Sequence, residues 1–266
     1  MRTVRTIAEV REALGEPRTR GERIGLVPTM GAFHAGHLAL IEAARAGSDL
    51  VVVSLFVNPS QFNSADDLAR YPRDEAADTH ASEEAGVDLL FIPPASEIYP
   101  PGFDTSVDPG ALGEVLEGAA RPGHFRGVAT VCTKLFSIVA PAAAWFGQKD
   151  AQQVAVIRRV IADLDLPLEI HVVPTVRDAD GLALSSRNVF LSAEERAMAL
   201  ALPRALNAAA DAADSVATAR AILDAEPGLT VEYVAVADFD VPTLVAAVRV
   251  GSTRLIDNVR LERPHS

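Results

Sequence analysis

Residues 51–57 are apolar at every position except Ser54. A strand with one wet face alternates apolar and polar residues. This run therefore belongs to a strand covered on both faces, as in a parallel sheet sandwiched between helices. Similar short runs recur at 24–27, ended by Pro28, at 89–92, stopped by Pro93 and Pro94, at 144–146, and at 168–173, stopped by Pro174. Segments of helical periodicity lie between them, at 37–46, 75–84, 128–139 and 151–164. Strands alternating with helices across short connections predict an α/β fold, a Rossmann-like doubly wound parallel sheet.

The texture changes near residue 176. A loop rich in Asp, Gly and Ser leads to an Ala-rich stretch that reads as one long helix, opened by a capping box of Ser192 and Glu195. Residues 231–237 alternate as a half-exposed strand, and 246–261 hold two further strand-like runs around Gly251. We expect two domains, a Rossmann-like one at 1–175 and a smaller C-terminal α+β one at 176–266.

Hydrophobic residues make up 49% of the 266, enough for a sizeable core. Lys plus Arg number 24 against 36 Asp plus Glu, a net charge of −12. That excess of acid argues against nucleic acid as partner, because a phosphate backbone needs surplus cations, but a few local Arg and Lys still suffice for a small anion. The single cysteine, Cys132, lies in an apolar helical stretch and reads as a core residue, with no intrachain disulfide possible. The first 16 residues lack the apolar region of a signal peptide, and no apolar run is long enough to span a membrane. The expected location is the cytoplasm.

Two common phosphate cradles, the P-loop and the G-x-G-x-x-G turn, are missing. In their place Met30-Gly31-Ala32-Phe33-His34-Ala35-Gly36-His37 directly follows the first strand and opens a helix. Unpaired N–H groups and the helix dipole favour an anion there, and the two glycines permit close backbone approach. His34 and His37, three apart, share a face and can donate to phosphate oxygens. A zinc site is the weaker reading, since no further Cys or His cluster stands nearby in sequence. In Gly181-Leu182-Ala183-Leu184-Ser185-Ser186-Arg187-Asn188, two hydroxyls and a guanidinium suit a polyphosphate. In Gly147-Gln148-Lys149-Asp150, Lys149 stands at a strand end before a helix, with Gln153 one turn on. Gln61, after the second strand, is a polar recogniser of a small substrate.

Six segments in order resemble the pantothenate synthetase (pantoate–β-alanine ligase) family, of the HxGH nucleotidyltransferase superfamily. They are PTMGAFHAGH, SLFVNPSQF, DLARYPRD, GHFRGVATVCTKLF, FGQKDAQQ and VRDADGLALSSRN. The resemblance implies that pantoate is adenylated by ATP, and that β-alanine then displaces AMP to give pantothenate. It implies magnesium with the ATP, a homodimer, and a C-terminal domain that closes as a lid. By the same resemblance Met30 to His37 bind ATP, with His34 and His37 on its phosphates and His37 in the acid role. Gly147, Gln148, Lys149 and Asp150 bind nucleotide, Leu184, Ser185, Ser186 and Arg187 hold the triphosphate, and Val176 touches adenine through its backbone. Gln61 and Gln153 hold pantoate, Gln61 borders β-alanine, and Asn58 and Tyr71 are further walls. Asp78 and Asp150 are the candidate carboxylates for magnesium. The chain departs from the family at Leu184, usually Met, and at Gln148, commonly Glu; it also ends soon after Arg260, which implies a minimal lid.

The closest rival is a related nucleotidyltransferase acting on a phosphorylated acceptor, which would need basic residues where this chain has two glutamines. A nucleotide sensor without turnover would not need Lys149 and both histidines together. A tRNA synthetase fragment is disfavoured by the net charge.

Overall fold

The computed structural model describes residues 1–261. It divides into two compact units, one of residues 1–147 with 153–173, the other of residues 148–152 with the chain from Pro174 onward. The first unit is built on β1 (Arg2–Val4), α1 (Ile7–Thr19), β2 (Ile24–Thr29), α2 (Ala35–Gly47), β3 (Leu50–Leu55), α3 (Ala65–Arg70), α4 (Glu75–Glu84) and β4 (Leu89–Phe91). Two single-turn helices follow, α5 (Ala95–Ile98) and α6 (Glu117–Ala120), and then α7 (His124–Val139), β5 (Ala143–Gly147), α8 (Ala151–Asp163) and β6 (Glu169–Val173). The strands form one sheet in the order β1-β4-β3-β2-β5-β6, every pairing parallel.

Both faces of that sheet are covered, as the run at 51–57 requires. Leu26, Val52, Phe91 and Phe146 pack on one face with Val10 and Leu14 of α1, Phe136 of α7 and Ile157 of α8. Their strand neighbours Val27, Val51, Val53, Leu90 and Trp145 pack on the other with Ile41 and Ala44 of α2. Adjacent residues alternate between the cores because strand side chains have a period of two.

Three expectations need correction. β2 continues through Pro28 to Thr29. β5 pairs with β2 only at Gly25 and Leu26, so the N–H that Pro28 lacks faces a side where pairing has already stopped. β1 and α1 precede the first strand that the sequence suggested. β1 is three residues long with two exposed, which leaves no apolar run to read, although Thr6 and Glu9 form a capping box ahead of α1. The Ala-rich stretch is three helices, α9 (Ala193–Ala199), α10 (Ala201–Ala209) and α11 (Ser215–Asp224). Pro203 cannot donate to the Ala199 carbonyl and crowds it, so the chain restarts at Leu200 with the proline in the first turn of α10. Asp214 then caps α11.

The second unit joins these helices to an antiparallel meander of β7 (Leu229–Asp238), β8 (Pro242–Val250) and β9 (Thr253–Arg260). Leu202, Leu206, Leu223, Leu244 and Val248 are the centre of its own core. The capping box of Ser192 and Glu195 forms as expected. The tip of the β8–β9 hairpin lies against that helix start, where a Cβ on Gly251 would run into the Glu195 carboxylate.

Candidate active site

β2 ends at the switch point of the sheet. β3 lies on one side of it and β5 on the other, the place where open α/β sheets take their ligands. The loop leaving β2 is bent at two left-handed residues, Gly31 (φ 87°) and Ala32 (φ 54°), the second of which strains a residue with a Cβ. Asp78 of α4 compensates. The residue is 3% exposed, and its two carboxylate oxygens accept the N–H groups of Ala32 (2.9 Å) and Phe33 (2.8 Å). A Cβ at Gly31 would lie 2.7 Å from that carboxylate. Asp78 was expected among the magnesium carboxylates; here both its oxygens are engaged in holding the loop.

His34 is the N-cap of α2, in extended conformation. Its Nδ1 accepts the Gly36 N–H at 3.1 Å, and the Nδ1 of His37 accepts the His34 N–H at 3.3 Å, a reciprocal cap made of two imidazoles. A nitrogen that accepts cannot carry the proton, so the neutral rings bear theirs on Nε2. The ring centroids stand 4.2 Å apart, and Phe33 stacks on His37 at 5.2 Å. The arrangement places both imidazoles beside the α2 N-terminus, where the helix dipole favours a phosphate.

After β3, a 3-10 turn at Pro59–Gln61 carries the second group. Asn58 is 1% exposed; its Oδ1 accepts from the Ser60 hydroxyl (2.9 Å) and the Tyr99 hydroxyl (2.8 Å), and its Nδ2 donates to Gln61 Oε1 (3.0 Å) and to the Gly127 carbonyl (3.2 Å). The Gln61 amide is thereby fixed with its oxygen on Asn58 and its nitrogen toward Met30 Sδ, 3.1 Å away. His124 Nδ1 meets the Gln61 carbonyl at 2.9 Å. Helix α7 can approach because residue 127 is glycine; a Cβ there would strike the Ser60 carbonyl. Tyr71 packs edge-on to Phe62, and Gln153 stands in the first turn of α8. Burial pushes the Tyr99 hydroxyl pKa up, and burial pushes the Cys132 thiol up to about 12, as suits a core residue.

The remaining expected residues belong to the second unit. Gln148, Lys149 and Asp150 form a short 3-10 turn, with Lys149 Nζ 3.6 Å from the Asp150 carboxylate. Asn258 Nδ2 donates to the Gln148 and Lys149 carbonyls, 2.9 Å each. The Val176 carbonyl accepts the Leu184 N–H at 3.0 Å, and Arg177 bridges Ala183, so 176–184 is a narrow hairpin. Ser185 caps the 3-10 turn Ser186–Phe190, its Oγ accepting the Arg187 N–H at 3.3 Å. Sequence reasoning missed the supports: Asp78 as a brace, Tyr99, His124, Arg177, Asp257 and Asn258. One signal was present, an Asp-Asn doublet inside the otherwise apolar run Leu255-Ile256-Asp257-Asn258-Val259.

Among the described residues, no three His, Cys, Asp or Glu side chains are grouped to hold a metal. No helix there is long and apolar enough to cross a membrane.

Comparison with known proteins gives one consistent result. A family model described as pantoate-beta-alanine ligase matches residues 2–260. The pantothenate synthetase of Roseiflexus sp. is 52% identical, over 98% of this chain and 100% of its own length. That of Agrobacterium fabrum is 52% identical, over 97% and 95%. The pantothenate synthetase of Thermus thermophilus superposes with a TM-score of 0.92 at 46% identity, covering 99% of this chain and all of its own. The pantoate-beta-alanine ligase of Francisella tularensis, solved with beta-gamma ATP and beta-alanine, superposes with a TM-score of 0.87 at 33% identity over the full length of both.

Proposed function

The chain belongs to the pantoate–β-alanine ligase family, and on that premise we propose how its residues divide the work of joining pantoate to β-alanine with ATP. The pantoate carboxylate attacks the α-phosphate of ATP, forming pantoyl adenylate as pyrophosphate leaves. The β-alanine amine then attacks the acyl carbonyl, forming the amide of pantothenate as AMP leaves and the nitrogen gives up a proton. The first step drives one anion onto another. A protein can lower that barrier with fixed donors and in-line placement, the latter contributing roughly 7–11 kcal/mol.

The observation that carries the reading is the reciprocal imidazole cap. It fixes His34 and His37 at the α2 N-terminus, where a phosphate is favoured, and by the family resemblance His37 is the residue to which we give the acid role. Met30 to His37, with their left-handed bend, bind ATP. Gly147 to Asp150 bind the nucleotide, with Lys149 on phosphate. Val176 touches adenine through its backbone, and Leu184 to Arg187 hold the triphosphate. Gln61 and Gln153 hold pantoate, Gln61 also borders β-alanine, and Asn58 fixes the Gln61 amide so that it presents one defined edge. Asn58 and Tyr71 complete the wall. On this reading residues 1–175 bind ATP and pantoate, and 176–266 are the smaller domain that acts as lid.

Magnesium usually keeps several waters and takes one or two carboxylates besides the substrate phosphates. The half-exposed Asp150 beside Lys149 fits that demand without a larger protein cage. When bound, the ion supplies charge neutralisation on the triphosphate oxygens. We also assign a homodimer, which sedimentation equilibrium would report as twice the 28.1 kDa chain. A lone buried thiol supports a cytoplasmic location.

The test is pantoate-dependent exchange of labelled pyrophosphate into ATP, with magnesium and without β-alanine. Exchange that requires pantoate, followed by AMP release on adding β-alanine, supports both steps. Folded, ATP-binding protein that shows no exchange would rule out the adenylation step. His37→Ala and Lys149→Ala should each slow exchange on the order of 10²–10³-fold, the usual cost of one transition-state donor, while the melting temperature moves by only a few degrees. Near-native turnover in either variant would cancel the role given to that residue.

A further inference from the structure

We infer that Asp257 and Asn258, adjacent on β9, position the two segments assigned above to the triphosphate. Asn258 fixes the Gln148–Lys149 turn, and Asp257, acting through Arg177, fixes the hairpin that leads to Ser185–Arg187. This rests on the roles given to Lys149 and to Ser185–Arg187.

Successive residues of a strand point to opposite faces, so one doublet can reach two partners. Asn258 is 5% exposed. Its amide nitrogen spends both hydrogens on consecutive carbonyls, Gln148 and Lys149, at 2.9 Å each. Its oxygen accepts from Gln148 Nε2 at 3.0 Å, and Gln148 Oε1 accepts from Arg260 at 2.7 Å. Two donations and one acceptance in this plane need a carboxamide. Aspartate offers no donor, and serine offers only one. The contacts also give Gln148, where the family commonly has Glu, a task in this chain that a carboxylate cannot perform, donation to Asn258.

Asp257 is 2% exposed and takes a two-pronged hydrogen bond from Arg177, at 2.6 and 3.0 Å. Arg177 also donates to the Gly181 carbonyl at 3.2 Å, across the neck of the hairpin. Asp257 Oδ1 accepts the Asn258 N–H at 2.8 Å, so the two residues are locked to each other. Burying a charge and an amide in a strand whose neighbours are apolar carries a desolvation cost. What they secure in return is geometry, the placing of two carbonyls on one side and one guanidinium on the other.

The experiment uses Asn258→Asp, which turns the donor into an acceptor facing two carbonyls, and Asn258→Ser, which keeps one donor should the first fail to fold. Pyrophosphate exchange is measured at varied ATP and varied pantoate. We expect kcat/KM for ATP in exchange to fall about 10-fold or more, through a lower kcat and a higher KM for ATP, with KM for pantoate within about 2-fold of wild type, because misplacement by an ångström costs up to ~10²-fold. In a Lys149→Ala background the same substitution should cost little more. A folded Asn258→Ser protein with unaltered ATP kinetics, or with a loss that multiplies in full with that of Lys149→Ala, would overturn the inference alone. Lys149→Ala at wild-type rate would remove the reading of Lys149 and this inference with it.

Discussion

His34 and His37 show how far a single residue can be read from sequence. Two histidines three apart at the start of a helix announce a shared face and an anion. The role of Nδ1 in closing the helix end was not legible, because it depends on His34 being the cap and not a residue of the first turn. Asp78 was less legible still. An acidic residue on a helix 45 positions from Phe33 gives no local sign that it will hold that residue's N–H. Its part in the loop leads to a prediction. Asp78→Asn keeps one acceptor oxygen but turns an amide nitrogen toward a backbone N–H, so it should destabilise by about 1.5–3 kcal/mol, the worth of a hydrogen bond to a charged group. It should also slow exchange by releasing Ala32 from its strained bend. Chemical denaturation and exchange rates check this; a variant as stable and active as wild type would mean that the loop holds itself. Cys132, by contrast, was read correctly as core from its apolar setting alone.

Elements were legible in proportion to their periodicity. Helix α4 spans residues 75–84 as expected, and the buried strands were found because both their faces are apolar. The short edge strand β1 and the break at Leu200 escaped, the first for lack of a pattern and the second because alanine-rich sequence continues across it. The hairpin at 177–184 is tied to α9 by Arg196, which bonds both Asp178 and Asp180. The Arg196 hydrogen bond, with help from the Leu182 N–H, holds the Asp180 carboxyl below its ordinary value of 3.8. A depressed carboxyl stabilises the fold above the ordinary value, and that contribution is lost as pH falls through the lower folded value. Acidification below about pH 4 should therefore loosen this hairpin, which NMR titration of the Asp180 carboxyl and exchange of the Leu182 amide would follow. An Asp180 midpoint at or above that of a free aspartate would show that the contact carries no coupling. The gain in stability is small, since the pair is well exposed to water.

The chain has two units with separate cores, and among the described residues no buried residue of the meander's core belongs to the sheet's two cores. Substitution in one should be felt there first. Leu206→Ala, at a site 1% exposed, should cost about 2–5 kcal/mol. Amide exchange should show β7, β8 and α10 losing protection while β2 and β3 keep theirs; equal loss in both units would mean that they unfold as one body. The doublet on β9 carries a consequence in time. Asn258 grips a turn made 110 residues earlier in the chain. At roughly 5–20 residues per second of synthesis, the sheet with its histidine loop has several seconds to fold before that grip can close. On the inference drawn for Asn258, the growing chain would build its sheet before its competence, and would spend ATP only once β9 has been made and has closed on that turn.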